Sequence, residues 1–162
     1  MTDPYLIDQT EFTMTDTTMT ANDEAAIRDI LAAEDQAWNR GDAAGFSQHL
    51  AENCIATNVQ GQSMSGRDLF FRQHAMIFAT FLKNTTLTQT LLTLRFVGDT
   101  VAIVESLCTV SGLKDPPATM PLDQAGRMQT RMLQVFEKAE GDWSIVAYHN
   151  TTVNHRAPPL VA

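Results

Sequence analysis

From about residue 22 the chain moves between two hydrophobic periods. Ile27, Ile30, Leu31, Ala37 and Trp38 recur at helical spacing, which predicts a helix from Asn22 or Asp23 to the Asn39-Arg40-Gly41 stop. Asn22 and Asp23 offer N-cap oxygens, Glu24 suits the first turn, and Gly41 suits the C-terminal stop. Glu34, four residues after Ile30 and four before Trp38, lies on or beside the apolar stripe. A shorter helix from Asp42 carries Ala43, Ala44, Phe46 and Leu50. Residues 54–59 alternate as a strand, and Gly61-Gln62 turns them into a second short piece. Ser65, followed three residues later by Asp68, has the chemistry of a capping box and opens a third helix to about Leu82. Phe70, His74, Ile77, Phe78 and Phe81 share one face of it.

The period then changes to two. Residues 86–97 and 100–111 read as long strands joined at Gly98-Asp99, a pair suited to a two-residue hairpin turn. The second strand is apolar on both faces, with Val101, Ile103 and Leu107 on one and Ala102, Val104 and Cys108 on the other. Two apolar faces imply cover on both sides, helices on one and a second subunit on the other. Residues 112–126, with Pro116, Pro117 and Pro121, form a loop, either a lid or a surface excursion. A last hairpin pairs 127–136 with 143–151 around Glu140-Gly141. A two-residue turn there sets His149 opposite Met132, Ala147 opposite Gln134, Ile145 opposite Phe136 and Asn150 opposite Arg131. In that register Met128, Met132, Gln134, Phe136 and His149 face inward, while Arg131, Leu133, Tyr148 and Asn150 face the dimer.

Composition narrows the setting. A length of 162 residues fits one domain. Residues 1–21, rich in Thr and Asp and without Lys or Arg, predict a disordered tail, with Met14 and Met19 as alternative starts; residues 22–155 form the domain and 156–162 a C-terminal tail. The net charge of −8 argues against nucleic acid and anionic membrane surfaces as partners. No long apolar span or signal pattern is present, so a cytoplasmic location is expected. Cys54 and Cys108 stand alone in apolar strands, without metal spacing, and read as buried reduced thiols.

The order of elements, with Ala37-Trp38-Asn39-Arg40-Gly41-Asp42, Gly66-Arg67, His74, Ile77-Phe78, Gln129-Thr130, Gly141-Asp142-Trp143, Ile145 and Asn150-Thr151, resembles the nuclear transport factor 2-like superfamily. Within it the chain resembles the SgcJ/EcaC-type branch of SnoaL-like proteins, over roughly residues 23–153. The resemblance implies an α+β fold, a cone-shaped curved antiparallel sheet wrapped around three N-terminal helices. It further implies a ligand-sized cavity, a homodimer through the sheet, and no metal or organic cofactor.

Enzymes of that superfamily place a carboxylate or histidine in an apolar cavity, where burial tunes its proton affinity. His149, His74 and Glu105 are the catalytic candidates here, with Glu34 and Asp35 as further titrating groups. Each histidine is equally readable as a satisfied core residue, Glu105 as the partner of Arg95 or Arg131, and Glu34 as a solvated helix edge. Trp38, Phe78 and Met132 would wall a ligand site, with Asn58 and Gln134 supplying orienting hydrogen bonds. Three functions are compatible with this set: acid/base chemistry of isomerase, dehydratase or cyclase type on a small apolar carbonyl or hydroxyl compound; binding of such a ligand without turnover; and a dimerisation module with a vestigial cavity.

Overall fold

The computed structural model describes residues 14–155. The elements run α1 (Met14–Asn39), α2 (Ala43–Ser47), β1 (Leu50–Thr57), β2 (Ser63–Ser65), α3 (Arg67–Phe78), β3 (Thr86–Val97), β4 (Val101–Ser111), β5 (Met128–Ala139) and β6 (Asp142–Thr152). The strands form one six-stranded sheet in the order β2-β1-β6-β5-β4-β3, with the helices against one face. Every pairing is antiparallel except that of β1 with β6, which is parallel. Irregularities in β3 and in the β5–β6 pair bend the sheet around the helices, because an extra residue on one strand increases local twist. The expected α+β cone is therefore the observed architecture, with a mixed sheet.

The apolar stripe of α1 is buried as its spacing requires, with Ile27 at 0% and Ala37 at 1% exposure. Polar contacts carry the helix across the sheet. Asn39 accepts from Leu87 N (2.7 Å) and donates to Leu87 O (3.2 Å), pairing with β3. At the other end Asp23 accepts from Lys138 Nζ (2.7 Å) and Trp143 Nε1 (3.0 Å). Asp23 thus sits inside the helix as a tie to the β5–β6 hairpin instead of capping it. Residues 14–21, expected in the tail, belong to α1. The rest of that tail and residues 156–162 lie outside the described residues.

The Asn39-Arg40-Gly41-Asp42 segment ends α1 and starts α2. Gly41 adopts φ +67°, and the Asp42 carboxylate accepts from Gly45 N (2.9 Å) as the α2 N-cap. Ser65 belongs to β2 instead of capping α3; the cap is Gly66 at φ +90°, and α3 stops at Phe78. Phe81 consequently leaves the core and is 37% exposed. The β3–β4 connection holds three residues, 98–100, because Val97 pairs with Val101.

The β5–β6 hairpin departs from the expected register. Glu140 and Gly141 do form the turn, both at positive φ, and Phe136 opposes Ile145 as predicted. Beyond that pair β6 accommodates one extra residue, Val146, so that Val135 opposes Ala147, Gln134 opposes Tyr148, Leu133 opposes His149 and Met132 opposes Asn150. Because strand side chains alternate faces, this bulge exchanges the two faces of β6 beyond it. Tyr148 turns inward and is 5% exposed; His149 turns outward and is exposed.

Candidate functional site

Glu34 sits on the inner stripe of α1 and is 0% exposed, one turn before Trp38. Inward positions of β5 and β3 bring two amides to it. Gln134 Nε2 donates to both carboxylate oxygens, at 3.1 and 3.0 Å, and Gln89 Nε2 donates to Oε2 at 3.3 Å. Gln89 is held by Leu31 O, which accepts from Nε2 (3.3 Å), and its Oε1 lies 3.8 Å from the Cys108 thiol. No lysine or arginine takes part in these contacts. A buried carboxylate served by neutral amides loses hydration without gaining a countercharge. Burial therefore pushes Glu34 up from 4.5 to about 7, against the lowering effect of the Gln134 and Gln89 hydrogen bonds and with a small push from Asp35. Such a carboxyl can hold or release a proton near neutral pH.

Strand register gathers further polar groups beside it. Met132 on β5 is flanked by Ser106 on β4 and Asn150 on β6, and Gln134 is flanked by Tyr148. Tyr148 and Asn150 form a side-chain hydrogen bond, and burial, followed by the charges of Cys108 and Glu34, raises the Tyr148 hydroxyl well above its usual value. Ser106 Oγ, Gln134 Oε1 and Asn150 Oδ1 are buried without a hydrogen-bond partner, as is Asp35 Oδ1 next to Glu34. Most buried polar atoms in folded proteins are satisfied, so a group of orphans on three adjacent strands calls for an explanation. The two thiols behave as expected: both are buried, and burial, reinforced by Glu34, pushes Cys54 up to about 11 and Cys108 up to about 12.

The candidates read from the sequence separate on this geometry. Gln134 and Met132 enter the cluster with Glu34. His149 does not, because the Val146 bulge sends it to the outer face beside Leu133. Glu105 also faces outward, where Arg131 pairs with it at 3.2 Å. Asn58 spends its amide on the β1–β2 turn: its Oδ1 accepts from Gln60 N and Gln62 N, both at 3.0 Å, and its Nδ2 donates to Gln62 Oε1 at 3.0 Å. His74 is buried inside an aromatic cluster, 4.0 Å from the Phe70 ring and 4.8 Å from Phe46. Its Nδ1 bonds Phe70 O at 2.8 Å, and burial pushes it down to about 4, so it is neutral at pH 7. Trp38 and Phe78 pack edge to face in the same cluster at 4.9 Å, with Trp38 Nε1 donating to Thr85 Oγ1 (3.0 Å). Ser106, Tyr148 and Gln89 are the residues that sequence reasoning missed. Gln89 and Ser106 carried a signal, as polar residues at inward parity of apolar strands; Tyr148 carried none without the bulge.

Two open clefts lie away from this cluster. One of about 1010 Å³ runs between residues 118–125 and Arg127, Gln129, Asn154 and His155. The other, about 690 Å³, lies beside Asp42, Gln48, Arg67 and Phe71. Leu113, Met120 and Leu122 of the 112–126 segment pack against the core. Among the described residues no helix is long and apolar enough to cross a membrane, and no group of three or more His, Cys, Asp or Glu side chains could hold a metal ion.

Helices cradled by a bent six-stranded sheet give this chain the architecture of an α+β cone. The model of the SnoaL-like domain matches residues 27–153, and the chain belongs to this family. No curated protein matches it. Solved structures of similar fold include a domain of unknown function with a cystatin-like fold from Nostoc punctiforme PCC 73102, at 26% identity and TM-score 0.70, covering 83% of this chain and 80% of that one. A protein provisionally called a scytalone dehydratase, from Novosphingobium aromaticivorans DSM 12444, aligns at 17% identity and TM-score 0.70 over 85% and 89%. An NTF-2 like protein of unknown function from Shewanella oneidensis MR-1 aligns at 20% identity and TM-score 0.65 over 79% and 98%.

Proposed function

We propose that this protein binds a small, largely apolar carbonyl or hydroxyl compound at the inner cluster. There it performs acid/base chemistry of the isomerase, dehydratase or cyclase type, with Glu34 carrying the proton. The observation that supports this reading is a fully buried carboxylate without a cationic partner, raised to about 7 and beside unpartnered polar oxygens. General acid/base groups work best when their proton affinity matches the ambient pH. Gln134 and Gln89 hold the carboxyl in place, and Met132 and Trp38 supply apolar surface. The dehydratase name of one fold neighbour is consistent with this chemistry.

The test is solvent-proton exchange. The full chain is incubated in deuterated water with a panel of cyclic ketones and alcohols, and deuterium uptake and product mass are followed. Glu34→Gln should lower exchange or turnover by about a hundredfold or more, while Glu34→Asp should retain part of it. Equal rates in Glu34→Gln and the natural protein would end the proposal.

A second reading, a dimerisation module with a vestigial cavity, draws on the outer sheet face. Val97 and Leu133 are 49% and 45% exposed there, beside half-buried Ile103 and Leu107. A homodimer through this face is compatible with either reading. Light scattering at micromolar concentration, repeated on Leu133→Asp, separates a dimer that the variant breaks from a monomer that it leaves unchanged.

A further inference from the structure

The inner cluster is closed. Glu34, Ser106 and Gln134 are 0% exposed and Met132 is 2% exposed, and the two open clefts lie away from them. A compound that meets Glu34 therefore needs the cone to open, and the two ends of the cone differ in how firmly they are shut. At the end with the 98–100 and 140–141 turns, Asp23 ties α1 to Lys138 and Trp143, and the Trp143 ring packs on Phe96 with 5.9 Å between ring centres. At the opposite end β4 stops at Ser111 and β5 starts at Met128. Val110 and Met128 face each other across the ladder, so a turn of about two to five residues would join the strands there. Residues 112–127 join them instead, and loops longer than about 12 residues are uncommon without a function.

That segment is built to move as one piece. Gly112 at φ +79° and Gly126 at φ +73° bracket it, in a backbone region that glycine enters without strain. Pro116, Pro117 and Pro121 fix φ at three points between them. Among the described residues, no backbone hydrogen bond ties residues 113–122 to another element. What holds the segment down is apolar contact, with half-buried Leu113, Met120 and Leu122 packed against the core, and a latch at its C-terminal hinge. In that latch Asp123 Oδ1 accepts from Ala125 N and Arg127 N, both at 2.9 Å, and Oδ2 accepts from Arg127 Nε and Nη2, both at 2.8 Å. The cleft of about 1010 Å³ lies beside the same segment, bounded by Gln129, an outward-facing position of β5, and leaves room to swing away from the interior.

Resting on the reading of the inner cluster as the reacting site, we propose that residues 112–126 are its lid. The segment lifts on its two glycines into the neighbouring cleft and withdraws Leu113, Met120 and Leu122 from the end of the cone. Inward from Val110 and Met128 lie Cys108 and Thr130, and beyond them Ser106 and Met132, each step of two residues being about 7 Å. Gln89 pairs with Cys108, so of the two amides on Glu34 it is the one nearer this end. A compound that enters here reaches Glu34 from the Gln89 side. An apolar one suits the route, because it takes over the contacts that the three lid side chains give up.

Methyl relaxation dispersion on the full chain, labelled at Leu and Met methyls, reads the motion. Leu113, Met120, Leu122 and Met128 should share one exchange rate in the microsecond-to-millisecond range, while Met64, buried on β2 at the far edge of the sheet, stays silent. Asp123→Ala should raise the open population about tenfold, one charge-assisted hydrogen bond's worth. Arg127→Gln keeps the Asp123 Oδ1 contacts and should raise it less, in the same direction. Lid methyls that exchange at unrelated rates, a silent lid, or a population that neither variant moves would overturn the lid, whatever becomes of proton exchange at Glu34. A shared rate that both variants move, with proton exchange unchanged in Glu34→Gln, keeps the lid and removes the reaction beneath it.

Discussion

Two buried titrating groups, Glu34 and His74, should pull stability in opposite directions over nearly the same pH window. Glu34 is raised from 4.5 to about 7, so the folded state holds its proton more tightly than the unfolded chain. Its contribution is full below pH 4.5 and is lost as pH rises toward 7. Each tenfold change in proton affinity is worth about 1.4 kcal/mol, so the whole effect is roughly 3 kcal/mol. His74 is lowered from 6.5 to about 4, so the folded state resists its protonation. Its contribution is full above pH 6.5 and is lost as pH falls toward 4, again by roughly 3 kcal/mol. The two slopes nearly cancel, and the natural protein should show little change from this pair between pH 4.5 and 6.5. Each single variant unmasks the other group. Glu34→Gln should lose roughly 3 kcal/mol of unfolding free energy on acidification through this window, and His74→Phe should gain a similar amount. Urea unfolding followed by tryptophan fluorescence at half-unit pH intervals reads both slopes. Because the comparison is of slopes, a uniform penalty from repacking either side chain does not disturb it. Two variants whose stability runs parallel to the natural protein across the window would refute the electrostatic account of both sites.

His149→Gln should change stability by less than about 0.5 kcal/mol, as for other exposed positions, and should leave any turnover unchanged; loss of turnover would return the histidine to the mechanism. Asp23→Ala removes the acceptor shared by Lys138 and Trp143 and should cost about 1–3 kcal/mol. Its check is urea unfolding together with a red shift in tryptophan emission, and an unchanged midpoint would count against the tie. Cys54 and Cys108 should react with an aromatic disulfide reagent only after denaturation, since burial holds both thiols protonated at pH 8. Rapid labelling of either in the native protein would contradict their placement.

Much of the core was legible because periodicity reports it directly. Ile27, Ile30, Leu31, Phe70, His74 and Phe78 all face inward as their spacing requires. Glu34 was visible on the stripe, but its burial was not, since a helix-edge carboxylate is ordinarily solvated and only the meeting of α1 with Gln134, a hundred residues away in sequence, fixes its environment. Ser65 had the chemistry of a helix cap, yet pairing with β1 through Ile55 claimed it for β2. The reading of Asp23 as a cap failed in the same way, because a partner distant in sequence had the better use for its oxygen. The decisive miss was Val146. Turn chemistry fixes a register only until the first bulge, and no local feature of residues 143–151 announces one.

That bulge makes β6 a strand with two latent inner faces. One presents Tyr148 and Asn150 to the interior, and the other holds Ala147, His149 and Thr151 in reserve on the outside. Drawing Val146 into the ladder opposite Val135 would exchange them at one stroke, withdrawing a phenol and an amide and delivering an imidazole opposite Met132. Point substitution explores such a site one side chain at a time; a one-residue slip of β6 here would replace a whole row while β3, β4 and β5 kept their pairing. The chemistry of this interior is therefore encoded as much in the register of β6 as in its letters.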